Sequence, residues 1–279
     1  MEAEALPVIA GLGLARDDPP AIPPPAPALS WSGTVKGTAA GSENHTLAVT
    51  VVCPGKCRKH GVDNIGTVPA AVTAYLAVQA LTPDLIISAG TAGGFSARGA
   101  LVGDVFLATG FANHDRRIPL ETFDAYGVWA TDAHPAPRLA ASAGLKSGVV
   151  TTGNSLDATD ADLLAMAANG AAVKEMEAAG AVWAAHLFDT PMLALKSVTD
   201  IVDGDRPAAE EFLANLSTAT TALHVSWVCG YGERRELSPL EKRAPLVSHS
   251  THTHTLSLVS QDKLALALGF IAGKKLDEL

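Results

Sequence analysis

Short β-branched runs alternate along this chain with longer stretches whose apolar positions recur at helical spacing. LAVTVV (47–52) precedes TVPAAVTAYLAVQAL (67–81), and DLIISAG (84–90), DVFLATG (104–110) and GVVTTG (148–153) follow. Then come VKEMEAAGAVWAAHLF (173–188), PMLALKSVTD (191–200) and AAEEFLANLSTATTALHVSWV (208–228). The short runs read as strands and the long ones as helices, which predicts an α/β fold with a mostly parallel sheet flanked by helices. In such sheets ligands collect at the carboxyl ends of strands, where loops carry polar groups over an apolar floor.

Two segments stand outside this rhythm. RDDPPAIPPPAPALSWSG (16–33) holds too much proline for a helix or a central strand and reads as a surface loop or linker, with ordered packing resuming near TLAVTVVCPG. Residues 241–279 read as a low-complexity appendage to a domain spanning 1–240. Within it SHSTHTHTLSLVS is polar, and QDKLALALGFIAGKK (261–275) is expected to form one amphipathic helix. His249, His252 and His254 lie there in a Ser/Thr context without acids or cysteines, so a solvated tail is expected rather than a metal site. The terminal LDEL lacks the lysine of a retrieval signal.

Composition narrows the classes. At 279 residues and 48% apolar, the chain suffices for one sizeable α/β domain. Its 20 basic and 29 acidic residues give a formal charge of -9, which disfavours a nucleic acid or an anionic membrane as partner. No apolar run is long enough to span a bilayer. The three cysteines, Cys53, Cys57 and Cys229, read as reduced thiols in a cytoplasmic compartment rather than as a zinc site.

Three acids stand where a reaction can use them: Glu4 in MEAEALP, Glu177 in VKEMEAAG and Asp200 at the end of LALKSVTD. An acid in the first turn of a helix, as Glu177 is expected to be, can simply answer the helix dipole. The apolar Met176, Ala178, Ala179 and Val182 around it instead place that turn against a pocket or core. Asp200 can be an ordinary turn or cap residue. It follows an apolar strand directly, however, and burial raises the pKa of a carboxyl and lets it carry a proton.

Around these acids lie three candidate strand exits. SAGTAGGF (88–95) supplies small residues through which a ligand can reach backbone N–H groups, without a GxGxxG spacing or a P-loop lysine. NHDRRIP (113–119) is read as a surface loop, a pocket wall or a subunit contact. The backbone of TTGNSLDATD (151–160) can hydrogen-bond a planar base while Leu156 packs on its ring.

Taken in order, MEAEALP, IGTVPAAV, ISAGTAGGF, HDRRIP, TTGNSLD, KEMEAAG and SVTDIVDGDRPAAEEFL resemble the plant-type 5'-methylthioadenosine nucleosidases of the purine and uridine phosphorylase superfamily. The resemblance covers roughly residues 1–240. It implies a three-layer α/β sandwich around a central twisted mixed sheet, and hydrolysis of the N-glycosidic bond of 5'-methylthioadenosine to adenine and 5-methylthioribose. By this resemblance Asp200 is the acid at purine N7, Glu4 activates water, and Glu177 grips the ribose hydroxyls. Thr91, Leu156, Lys174, Glu175, Met176, Thr199 and Phe212 fall on positions that bind the nucleoside. The resemblance further implies a cytoplasmic homodimer that needs no cofactor or metal.

Two competing readings belong beside it. Phosphorylases of this fold carry a phosphate-binding arginine where this chain has Ser88, and without that cation a phosphate dianion loses its main partner, which favours water as nucleophile. A storage or binding relative that kept the fold without the reaction is the other, and the presence of Glu4, Glu177 and Asp200 argues against it. Two departures from the family pattern stand out: Asn154 replaces an aspartate common in TGDS, and the family's first strand, which precedes the Glu4 element, is missing. Either the gene model is incomplete or another segment fills that gap; otherwise Glu4 would hang near a free terminus, too mobile for positioned catalysis.

Overall fold

The computed structural model describes residues 1–37 and 45–230, together with short strands at 262–263, 265–266 and 271–272. The chain opens with α1 (Glu2–Leu12), β1 (Ala15–Arg16), β2 (Leu29–Gly37), β3 (His45–Cys53) and α2 (Thr67–Leu81). β4 (Ile86–Gly94), β5 (Val105–Asn113), α3 (Phe123–Val128), β6 (Thr131–Asp132), α4 (Pro137–Ala143) and β7 (Lys146–Thr152) follow. Next come α5 (Asp160–Ala168), β8 (Ala171–Glu175), α6 (Ala178–His186), β9 (Met192–Ile201) and α7 (Ala208–Gly230). The last elements are β10 (Asp262–Lys263), β11 (Ala265–Leu266) and β12 (Ile271–Ala272).

β4 pairs with β8 and β9, β8 with β7, β7 with β5, and β5 with β9, so five strands close a ring of mixed parallel and antiparallel ladders. Closure satisfies most ladder groups within the ring, while the Ile86 end of β4 and the Gly110–Phe111 stretch of β5 pair outside it with β11 and β6. Two apolar layers pack on the sheet, as the sandwich expectation requires. On one side Ala74, Ala77 and Val78 of α2 and Ala181, Ala184 and Ala185 of α6 meet Ile86, Ala92, Ala194 and Val198. On the other, Ala5, Val8 and Ile9 of α1 and Leu223 of α7 meet Ile87, Ala89, Leu193 and Leu195. Alternate residues of β9 thus feed opposite layers, the period-2 signature of a strand buried on both faces.

Four readings of the sequence are corrected here. The Pro-rich segment ends earlier than expected: LSWSG begins β2, whose Leu29–Gly37 run antiparallel to His45–Cys53, and Ile22 within the proline stretch is itself buried. Those prolines carry no N–H for a ladder but leave their carbonyls and the intervening side chains free to pack. SAGTAGG is strand rather than strand exit, because β9 and β8 supply backbone partners on both sides and override the weak strand propensity of glycine and alanine. VKE belongs to β8, and Glu177 is the N-cap of α6 rather than a residue of its first turn. Gly170 at φ 70° ends the preceding helix and lets the short apolar run AAV start a strand.

The fourth correction concerns the C-terminal segment read as an amphipathic helix. Asp262 and Lys263 pair in parallel with Leu47 and Ala48 of β3, and Ala265 pairs in parallel with Ile86 of β4. The run therefore pairs with one strand of each sheet. LALALGFIA fits a period of two as well as a helical one, and edges with unpaired N–H and C=O groups decide for strand. The domain limit near 240, the three tail histidines and LDEL lie outside the described residues.

Helices α2 and α6 approach so closely that a Cβ on Gly180 would sit 2.4 Å from the Thr67 carbonyl oxygen. Gly180→Val is expected to lower the unfolding free energy by about 2–3 kcal/mol in urea denaturation, because overpacking against backbone outweighs the small gain in helix propensity.

Candidate active site

A cavity of about 210 Å³ opens where the ends of β4, β8 and β9 meet the start of α1, and it is lined by Glu4, Thr91, Leu156, Lys174, Glu175, Met176, Glu177, Thr199, Asp200 and Phe212. All ten residues singled out in the sequence therefore face one space, although Glu4 and Phe212 are 208 positions apart. Residues 113–119 are absent from its lining, so HDRRIP is not a wall of this cavity.

Glu4 is not loose. It lies in the first turn of α1, is buried, and its Oε1 accepts from the Thr91 amide (2.9 Å) and the Thr91 hydroxyl (2.5 Å). Its Oε2 accepts from the Met1 ammonium. Burial pushes the Glu4 carboxyl upward, but the ammonium and the Thr91 donors outweigh it, and the group is held ionised below its ordinary value.

Asp200 has the opposite balance. Between Ala92 and Gly93 the β4–β9 register slips, so that Ala92 faces Val198 and Gly93 faces Asp200, leaving Thr199 as the extra residue. Such a bulge re-aims side chains, and here Asp200 lines the cavity against Gly93, where a Cβ would meet Oδ2 at 2.7 Å. Burial drives the Asp200 carboxyl up, and the Thr199 hydroxyl at 2.7 Å and the charge of Lys174 offset this only in part. The result is a carboxyl that keeps its proton to higher pH than an exposed aspartate. Burial likewise lowers Lys174, whose Nζ donates to the carbonyls of Ser155 (2.8 Å) and Leu156 (2.6 Å) and so anchors the loop after β7.

Glu175 turns away from the cavity chemistry. Its Oε2 accepts from Lys196 Nζ (3.0 Å) and from the amides of Glu177 (3.0 Å) and Ala178 (2.9 Å), while Oε1 accepts from the Thr152 hydroxyl. With these lone pairs occupied, the Glu175 carboxylate is a support rather than a free substrate ligand. The Thr152 hydroxyl oxygen in turn accepts from the Ala179 amide at 3.0 Å. The open amides at the start of α6 are thus capped by Glu175 and Thr152, not by the N-cap residue itself. Glu177 is left to face the cavity, its Oε1 taking the Gly66 amide at 2.9 Å. Burial and the Glu175 charge raise the Glu177 carboxyl above its ordinary value, against the pull of Lys196.

Sequence reasoning missed Lys196. Its signal was present, a lysine inside the apolar run MLALKSV, where an unpaired ammonium would not be tolerated. It donates to Glu175 and to Ser88 Oγ (3.1 Å), both buried. Ser88, at the position where phosphorylases place their cation, is fully buried and outside the cavity lining.

Among the described residues there is no cluster of side chains able to hold a metal ion, and no helix long and apolar enough to cross a membrane.

Because folding favours the protonated form of Asp200, the native state holds more protons than the unfolded chain between the ordinary aspartate value and the raised one. Stability therefore falls as pH rises through that window. Asp200→Asn is expected to be more stable than the parent chain in urea denaturation at pH 7, with the difference vanishing on acidification below the ordinary aspartate value.

Comparison with known proteins places this geometry. The profile of the Phosphorylase superfamily matches residues 26–226. A 5'-methylthioadenosine nucleosidase of Arabidopsis thaliana is 42% identical over 242 residues, covering 86% of this chain and 87% of the relative. A 5'-methylthioadenosine/S-adenosylhomocysteine nucleosidase of the same plant is 42% identical over 226 residues, covering 81% and 85%. The apo structure of Arabidopsis thaliana 5'-methylthioadenosine nucleosidase superposes with a TM-score of 0.76 at 42% identity, over 82% of this chain and 91% of that one. Identity of this extent over most of the chain makes it a member of the phosphorylase superfamily, in its branch of 5'-methylthioadenosine nucleosidases.

Proposed function

We propose that this protein hydrolyses the N-glycosidic bond of 5'-methylthioadenosine, releasing adenine and 5-methylthioribose. The observation that carries the reading is the split between two acids of one cavity, the Glu4 carboxyl drawn below its ordinary value and the Asp200 carboxyl pushed above its own. Environments that push two carboxyl groups apart in this way define a base and an acid. The 42% identity to two plant nucleosidases supports the choice of substrate.

In this reading the base lies between Phe212 and the loop that Lys174 anchors, within reach of Asp200. The glycosidic bond breaks with its electron pair moving into the purine, and the Asp200 proton goes to N7, so adenine leaves neutral. Water adds to the sugar carbon as Glu4 takes its proton, which closes the balance of atoms and charge. Both carboxyls act on charge that develops mainly in the transition state. Glu177 holds the ribose hydroxyls and favours positive charge on the ring. Water rather than phosphate is the nucleophile because Ser88 stands where phosphorylases carry an arginine, and the lysines at the cavity are engaged, Lys196 with Glu175 and Lys174 with the Ser155 and Leu156 carbonyls.

The reading includes a homodimer. Val68, Val72 and Tyr75 of α2 and Trp183, Leu187 and Phe188 at α6 are large apolar residues left exposed, a face that a second copy would cover. The free thiols of Cys53 and Cys57 fit a cytoplasmic, reducing compartment.

Adenine release is expected at the same rate with and without phosphate, with free methylthioribose as the sugar product. Methylthioribose 1-phosphate would move the reading to phosphorolysis, and adenine binding without release would make the chain a binding or storage protein. Asp200→Asn is expected to lower kcat by roughly 10²–10⁴-fold. The pH profile should lose activity on the acid side below the ordinary glutamate value, as Glu4 gains a proton. On the alkaline side it should fall above the ordinary aspartate value, as Asp200 loses one.

A further inference from the structure

We infer that Asn154 is a positioning residue that locks the base loop to the segment holding Glu177, an inference that rests on the nucleosidase reading. Asn154 is the second residue after β7, in the loop whose next two carbonyls accept from Lys174. Its Oδ1 accepts from both the amide and the hydroxyl of Thr67, each at 2.9 Å. Its Nδ2 donates to Asp115 Oδ2 at 3.2 Å, and its own amide donates to the same oxygen at 2.7 Å. The backbone amide of Thr67 can only donate, so the orientation of the Asn154 amide is set by chemistry.

These contacts join three segments, two of which, the loop after β7 and the approach to α2, border the cavity through Leu156 and Ile65. Thr67 opens α2, and the residue before it, Gly66, donates its amide to Glu177. Gly66 stands at φ 96°, and a Cβ there would lie 3.0 Å from Asn154 Oδ1, so helix start and base loop are in direct contact. Asp115 in HDRRIP has a second oxygen, Oδ1, that is buried without a hydrogen bond, which leaves Asn154 as the donor that orients this carboxylate. From the base end, Leu156 and Lys174, to the ribose end, Glu177, the hydrogen-bonded path runs through Asn154, Thr67 and Gly66.

The amide at this position serves both neighbours, accepting from Thr67 and donating to Asp115. An aspartate keeps the acceptor for Thr67 but sets a second carboxylate against Asp115 Oδ2 and loses the donor. Alanine leaves Thr67 without its acceptor and Asp115 with the backbone amide of residue 154 alone.

The test compares the full chain with Asn154→Asp, Asn154→Ala and the exchange variant Asn154→Asp/Asp115→Asn, which recreates the amide–carboxylate pair with its roles reversed. Adenine release from 5'-methylthioadenosine is followed alongside thermal unfolding. Asn154→Asp is expected to lose roughly tenfold in kcat/KM while staying folded, as a small displacement of positioned groups would cause, and the exchange variant is expected to recover to within about threefold of the parent. Single variants that keep kcat/KM within about twofold overturn the inference, as does an exchange variant that folds but recovers nothing. Should Asn154→Ala fail to fold, the comparison between Asn154→Asp and the exchange variant decides alone. A parent chain that releases no adenine overturns the nucleosidase reading and this inference with it, whereas an active parent with indifferent variants overturns the inference only.

Discussion

The ion pair between Lys196 and Glu175, sealed beneath the cavity with both side chains only 2% exposed, is the constraint around which the site is arranged. Neither charge is tolerable there without the other, and removing one partner of such a pair typically costs about 3–5 kcal/mol. The pair does more than cancel itself. It fixes the Glu175 carboxylate so that the amides opening α6 converge on it, and that capping sets where the helix begins and where Glu177 stands. β9 contributes Lys196 and, four residues on, Asp200, so the support and the acid ride on one strand.

Around this fixed point the fold assigns different charge states to similar groups by environment alone. Glu4 has an ammonium and two Thr91 donors, while Asp200 has one hydroxyl donor and a more distant lysine. Net burial is common to both, so hydrogen-bond count and the nearest opposite charge move the two carboxyls in opposite directions. The bulge at Thr199 belongs to the same logic, since it turns Asp200 toward the cavity without interrupting the ladder beyond Gly93.

Much of this was legible in the sequence. The alternation of β-branched and helical runs gave the layered α/β class because burial on two faces leaves a different period in strands and in helices. Asp200 was legible as an acid at a dry strand end, and the family resemblance drew Glu4, Thr91 and Phe212 to it from distant positions. What stayed hidden depends on partners far away in the chain. SAGTAGG has no strand propensity of its own and becomes strand only between β8 and β9. The C-terminal LALAL fits two periods, and edges near residues 47 and 86 choose between them. Glu175, which the family resemblance placed at the nucleoside pocket, does line the cavity, yet its lone pairs go to Lys196, Thr152 and the amides opening α6.

The walls of the cavity carry a consequence for how such a site can change over generations. Much of its lining is Gly55, Ala70, Ala89, Gly90, Ala92 and Gly93, residues with little or no side chain to remove. Beside Gly90 and Gly93 the acids and Lys196 stand within 4 Å of where a Cβ would be, so the room around them comes from bare backbone. Single substitutions there can narrow the chamber but have nothing to trim in order to enlarge it. Diversification toward bulkier bases or sugars is therefore blocked at those walls unless strands move, and variation is channelled to positions such as Leu156, Phe212 and Ile65, where a large side chain can shrink.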